Sequence, residues 1–259
     1  ALYSGDHTFV LDDWLLDPRG RRIEELPRGM MEREGNIGTV NGKTGSAIPP
    51  LELRAGELHK LRFINASTAA FHTMKITGHR FRVTHTDGHA LGKPYETDMI
   101  ALAPSERIDA ELFASGKSGD TYQISRDRYE AGMVIPVIYR GGSVPPAAAP
   151  FMAPPSRAFA GMADKRPDFT LEFGIAMGRG GNRGMGGMMG GTDMRWTING
   201  RSFPDTRPVE VRRGEIVKMR LVNNDMSGMM GHPADHPVHI HGTYFQVLTV
   251  NGRPPAMET

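Results

Sequence analysis

The feature that most constrains this chain is an internal repetition. The run "TVNGK" at 39–43 returns as "TINGR" at 197–201, 158 positions later. At the same offset "LELRAGELHKLRFIN", starting at Leu51, returns as "VEVRRGEIVKMRLVN", starting at Val209. The offset then widens to 164, where "HTMKITGHRFRV" from His72 meets "HPVHIHGTYFQV" from His236. Self-similarity over such a distance means one folding unit used twice. Any fold assigned to the first half must therefore also suit the second.

That unit is built of strands. "HTFVLDDWLL", "LELRAGE", "LHKLRFINA", "HTMKITG", "RFRVTH", "RIDAELF" and "MVIPVIYR" are short alternating or β-branched runs divided by Gly, Asn, Asp and Pro, the pattern of strands and turns. Long amphipathic helices are absent, and regular strand spacing predicts a β-sandwich, used twice. From Gly141 to about Pro167 the sequence turns rich in Pro and Ala, which suits a semi-rigid connector rather than a central strand. The expected organisation is a domain at 1–144, a linker at 145–166 and a second domain from 167 to 259. The stretch "GRGGNRGMGGMMGG" at 178–191 reads as a low-complexity loop between strands.

Composition removes several classes of function. The formal net charge of +2 is spread along the chain, so no basic arm calls for nucleic acid or an anionic membrane surface. No apolar run approaches a membrane span, and "ALYSGDHTFVLDDW" contains no charged and then apolar leader. If the protein is exported, to the periplasm or beyond the cell, its leader has already gone. Cys is 0, which excludes disulfides and any thiolate-held metal built by these residues alone.

The repeat also supplies an internal control. His236 aligns with His72, but His239 and His241 align with Lys75 and Thr77, while Gly242 and Phe245 keep their partners in Gly78 and Phe81. The unit therefore folds without the histidine cluster, and His239 and His241 need a chemical explanation. Successive side chains on an extended strand point to opposite faces. His239 and His241 thus share one face, and His236 shares the other with Val238 and Ile240. The pattern predicts two metal sites back to back. Imidazole suits copper, zinc, iron and nickel alike; the competing reading is a hydrogen-bonded His-rich strand or an adventitious nickel or zinc site.

"HPVHIHG" resembles the His-Pro-x-His-x-His-Gly element of multicopper oxidases, in the cupredoxin-like domain that closes those three-domain enzymes. "DDWLLDPRG" is similar to the opening of their middle domain, and "LAPSERIDAELF" to its Pro-Gly-Glu-Arg strand, with Ser105 in place of Gly. "VNGRPPAMET" is similar to the segment after the histidine strand. The resemblance covers nearly the whole chain and leans to the bacterial copper-resistance and laccase-like branch. It implies an all-β fold of two consecutive cupredoxin-like Greek-key sandwiches, the second incomplete. It also implies one-electron oxidation of phenols, Cu(I) or Fe(II), coupled to four-electron reduction of dioxygen to water. Carried over by position, His236 would be a ligand of the type 1 copper, His239 of the type 2 copper and His241 of one type 3 copper.

The departures from the family pattern matter equally. A complete enzyme adds a His-Cys-His strand and a first domain with two His-x-His pairs, whereas here Cys is 0 and the sole His-x-His begins at His239. The expectation is a portion of a larger oxidase, inactive alone, whose remaining ligands come from other segments or chains. Met185, Met188 and Met189 in the glycine-rich stretch, with Met226, Met229 and Met230 before the histidines, would suit soft Cu(I). For the first group, Met as apolar filler in a loop is the competing reading. A non-catalytic copper-binding or storage module using Met and His is the alternative function. His232 reads as a solvated loop residue. His72, His79, His85 and His89 read as surface or hydrogen-bonded histidines. Asp12 and Asp13 point apart on a strand and are expected to cap a turn or meet an arginine.

Overall fold

The computed structural model describes residues 3–23, 35–126, 132–143, 151–152, 161–178, 193–224, 236, 238–253 and 255. Its elements in order are β1 (Gly5–Trp14), β2 (Ile37–Val40), β3 (Leu51–Ala55), β4 (Leu58–Asn65), β5 (His72–Ile76), β6 (Phe81–Thr86) and β7 (His89–Thr97). They continue with β8 (Met99–Leu102), β9 (Arg107–Phe113), β10 (Thr121–Arg126), β11 (Val134–Ser143), β12 (Phe169–Gly178), β13 (Asp193–Ile198) and β14 (Met219–Asn223). One 3-10 turn, Gly45–Ala47, is the helical element among the described residues, and no described helix is long and apolar enough to cross a membrane. The chain divides into two compact units, the first carrying β1 to β11 and the second β12 to β14.

In the first unit a six-stranded sheet, β2-β1-β4-β9-β6-β7, and a five-stranded sheet, β3-β11-β10-β5-β8, enclose one core. Alternation puts Leu61 and Phe63 of β4 inward and leaves Lys60 and Arg62 more accessible. From the other sheet Leu53, Met74, Leu102, Ile124 and Val137 are fully buried in the same cluster. Each such side chain contributes about 1.5–3 kcal/mol by leaving water. Phe63 sits at the centre, tilted against Phe9 at 5.4 Å and edge-on to Phe81 at 5.7 Å. All seven runs read as strands in the sequence lie in strands. A strand missed there, β7, contains Pro94; it is an edge strand, where a residue without an N–H is tolerated.

The repetition is visible in the backbone. β1 pairs antiparallel with β2 and parallel with β4; β12 pairs antiparallel with β13 and parallel with β14. Each pairing is locked by an Asn-Gly turn with both residues at positive φ, 52° and 72° at Asn41-Gly42 and 51° and 74° at Asn199-Gly200. That left-handed pair is the two-residue turn that matches strand twist. Asn41 accepts from the Val10 N–H at 2.7 Å and donates to the Thr8 carbonyl at 2.9 Å. Asn199 repeats this with the Glu172 N–H at 2.8 Å and the Thr170 carbonyl at 3.5 Å. A third such turn, at Asn251-Gly252, has φ of 51° and 75° and is closed by the bridge of Val250 to Arg253.

The second sheet of the sandwich is not repeated among the described residues. Residues 209–211, which align with β3, and 236 and 238–240, from the stretch that aligns with β5, form no ladder. The histidine segment, read as a strand in the sequence, thus has no ladder partner among the described residues. β3 pairs with β11, and β5 with β10 and β8; the described part of the second unit contains no counterpart of those three partners. A strand needs a neighbour for its N–H and C=O groups, and none is found for these two runs among the described residues.

Candidate metal centre

The histidine segment keeps the predicted two-sidedness without a ladder. His236, Val238 and Ile240 are half-buried, whereas His239 and His241 are exposed. The rings of His239 and His241 stand edge to face with centroids 4.8 Å apart, so the structure brings these two together. His236 is turned into the second unit, its ring 5.5 Å from Phe173 on β12 and 5.0 Å from Trp196 on β13, the latter edge-on. Its Nε2 is buried and has no hydrogen-bond partner among the described residues. Gly242, at φ +77°, ends the segment as Gly78, at φ +67°, ends β5, a conformation that favours glycine.

A buried imidazole nitrogen without a partner is costly, and its lone pair or proton asks for something more. The repeat disciplines that inference. His72, fully buried, also has an unpartnered nitrogen, Nδ1, while its Nε2 bonds Ser67 Oγ at 2.7 Å. What distinguishes the second copy is the combination: an orphaned nitrogen within an aromatic wall on one side and a pair of exposed imidazoles on the other. Among the described residues no group of three or more His, Cys, Asp or Glu side chains is gathered around a metal position. Met185, Met188, Met189, Met226, Met229, Met230 and His232 lie outside the described residues.

Sequence reasoning missed the aromatic wall of His236, although a signal existed. Trp196 stands where the first copy has Gly38 at the 158-residue offset, a second departure between copies beside the histidines. It also missed a relay in the first unit, where His7 Nε2 lies 3.0 Å from His59 Nδ1 and His59 Nε2 lies 2.8 Å from Glu57. Burial holds His7 below the ordinary imidazole range, and the neighbouring His59 adds to this. His79 and His85 are hydrogen-bonded, to Tyr139 and Thr84 respectively. Asp12 and Asp13 accept backbone N–H groups, from Asp13 and Gly35.

The fold defines a class first. Solved structures of a multi-copper oxidase from Pseudomonas thermotolerans (TM-score 0.52, 21% identity, 67% of this chain, 41% of that one) and a laccase from Botrytis aclada (0.51, 17%, 76% and 40%) share its cupredoxin-like architecture. In sequence, residues 5–135 match the multicopper oxidase family, and residues 184–259 match a second family model of the same description. The chain belongs to the multicopper oxidase family. It is 25% identical to multicopper oxidase MmcO of Mycobacterium tuberculosis over 98% of this chain and 54% of that protein. Against multicopper oxidase mco of Staphylococcus aureus the identity is 28%, over 86% of this chain and 41% of that protein. The chain thus spans about half, or less, of the length of these curated relatives. The family binds copper, as types 1, 2 and 3 in the full enzyme. The unpartnered Nε2 of His236 and the adjacent imidazoles of His239 and His241 fit that requirement, since neutral imidazole is a copper ligand.

Proposed function

We propose that this chain is part of an oxidase that withdraws single electrons from phenols or from Cu(I) or Fe(II) and reduces dioxygen to water. The observation that carries this reading is the two-sided histidine segment: His236 half-buried with an unpartnered Nε2, His239 and His241 exposed and side by side. On this reading His236 serves the type 1 copper, His239 the type 2 copper and His241 one type 3 copper. Copper bound there would supply the one-electron redox steps.

The protein's own part is positioning and exclusion. Phe173 and Trp196 fix the His236 ring and present it with apolar surface, which limits water around that nitrogen. One backbone segment carries ligands for both sites, so the separation between them is set by covalent geometry rather than by loop position. With Cys at 0, these residues cannot furnish a thiolate, and the chain turns over in company with the segments that supply the remaining ligands. Dioxygen and a small reductant are its partners, and its place is the periplasm or outside the cell, a reading that rests on the family resemblance.

The test is made on the copper-loaded oxidase that contains this chain. His239→Ala should lower the copper count and stop dioxygen uptake while the blue absorption persists; His236→Ala should bleach the blue absorption. Loss of both features in either variant overturns the two-sided assignment.

A further inference from the structure

A second constellation lies in the first unit, on strands that carry no part of the histidine segment. Tyr139 of β11 is 2% exposed, and its hydroxyl lies 2.7 Å from Nε2 of His79, itself 8% exposed. His79 Nδ1 lies 3.1 Å from the Thr77 carbonyl. A carbonyl can only accept, so Nδ1 carries the proton and Nε2 accepts from the phenol. The two rings are almost parallel, 15° apart with centroids at 5.7 Å. Tyr122 of β10 stands edge-on to both, 4.6 Å from His79 and 5.9 Å from Tyr139, and donates to Asp120 Oδ2 at 3.1 Å.

Two glycines make room for these rings. A Cβ at Gly116 would come within 2.7 Å of Tyr139, and one at Gly78, already at φ +67°, would run into the ring of Tyr122. An open cleft of about 550 Å³ reaches His79 and Gly78 and is bordered by Lys75, Arg80, Asp98 and Ser115. Buried tyrosines need a partner for the hydroxyl, but one hydrogen bond would meet that need. Here each of two touching phenols has its own hydrogen-bond partner, one of them an imidazole nitrogen beside a cleft.

We propose that Tyr139 and His79 form a redox-active phenol–imidazole pair that gives up one electron to aryloxyl radicals entering the cleft, with Tyr122 as a second station. In the step, one electron leaves the Tyr139 ring for the radical and the Tyr139 O–H bond breaks. That proton forms a new N–H bond at His79 Nε2, leaving a neutral tyrosyl and an imidazolium. The aryloxyl radical takes the electron and a proton from solvent water and becomes a phenol, and the hydroxide left in solvent balances the imidazolium charge. Burial raises the phenol of Tyr139, so it stays protonated at neutral pH and the electron cannot leave cheaply without a proton acceptor in place. A phenol donor reverses the step. The pair is a sink for radical equivalents, and it needs no copper.

The experiment uses the 259-residue chain without metal and a photogenerated ruthenium(III) tris-bipyridyl oxidant with persulfate as quencher. A tyrosyl radical should form, identified by paramagnetic resonance on chain labelled with deuterated tyrosine, and its formation should slow in D₂O. Tyr139→Phe should remove this long-lived signal, and His79→Gln should slow its formation about a hundredfold, the contribution of a positioned proton acceptor. Equal radical yield in Tyr139→Phe, or a rate insensitive to D₂O, overturns the proposal. The isotope measurement on the unmodified chain decides the matter where a variant fails to fold. Because no copper is present, failure here leaves the oxidase reading untouched.

Discussion

Acidification should strike this protein first at His72. The residue is fully buried, its Nε2 is engaged by Ser67, and its Nδ1 has no partner among the described residues. Burial, reinforced by the charge of Arg126, lowers its pKa from 6.5 to about 4. In the unfolded chain the same imidazole titrates near 6.5. Between these two values the unfolded state holds a proton that the folded state lacks, so stability falls as pH falls. Each pH unit in that window costs about 1.4 kcal/mol, and crossing the whole window costs about 3 kcal/mol. Above the window the contribution is constant. For a domain whose total stability is of order 5–15 kcal/mol, such a loss is easily measured. The assay is urea unfolding of the chain and of Ser67→Ala/His72→Leu, which removes both partners of the buried bond together, at intervals from neutral pH down to the lower bound. The unmodified chain should lose about 3 kcal/mol more than the variant, since His7 and His85, also held down by burial, titrate in both. Parallel pH profiles for the two proteins would refute the assignment to His72.

Three further outcomes follow from the first unit's packing and from the shared turn. Glu111, 2% exposed, is held by Arg82 at 2.5 Å, Tyr3 at 2.9 Å and the Phe151 N–H at 2.8 Å. Arg82→Met should destabilise the unit by about 3–5 kcal/mol, because it strands a buried carboxylate; chemical denaturation reads the loss. Glu111→Gln should increase hydrogen exchange at the Phe151 amide, and an unchanged rate would remove the carboxylate from its role as anchor for that residue. Asn199→Ala should cost about 1–3 kcal/mol, combining the lost backbone bonds with the penalty for a side-chain-bearing residue at φ +51°. Asn199→Gly, which relieves the second term, should recover part of that cost in the same denaturation assay.

Much of this architecture can be read without coordinates, for local reasons. "TVNGK" and "TINGR" specify their turns by themselves, because Asn-Gly is suited to two successive left-handed residues. β1 and β4 are legible as strand runs, and the 158-residue offset carries β4 over to β14. The two faces of the histidine segment are likewise a matter of parity, and the burial at His236, Val238 and Ile240 keeps it. What could not be read depends on distant partners. The lack of a ladder at 236 and 238–240 goes with the lack of neighbouring strands among the described residues, since the aligned β5 is a strand between β10 and β8. The burial of His72 and His79 depends on which strands stack over them across the sandwich. The meeting of His7 with His59 requires the parallel register of β1 on β4, which no run of residues in either strand announces. The pairing of Tyr139 with His79 spans 60 positions and has no local signature.

The three Asn-Gly turns also set a schedule for chemical ageing. An asparagine followed by glycine deamidates when the glycine nitrogen reaches the side-chain amide, so the reaction is limited by how freely that amide can turn. Asn41 and Asn199 have both ends of the amide tied to strand backbone, whereas no hydrogen bond of the Asn251 side chain is seen among the described residues. The same dipeptide should therefore age at different rates in one molecule, with Asn251 converting first. Peptide mapping of stored protein would show the order, and the difference between the sites should vanish in the unfolded chain, where the clamps on Asn41 and Asn199 are open.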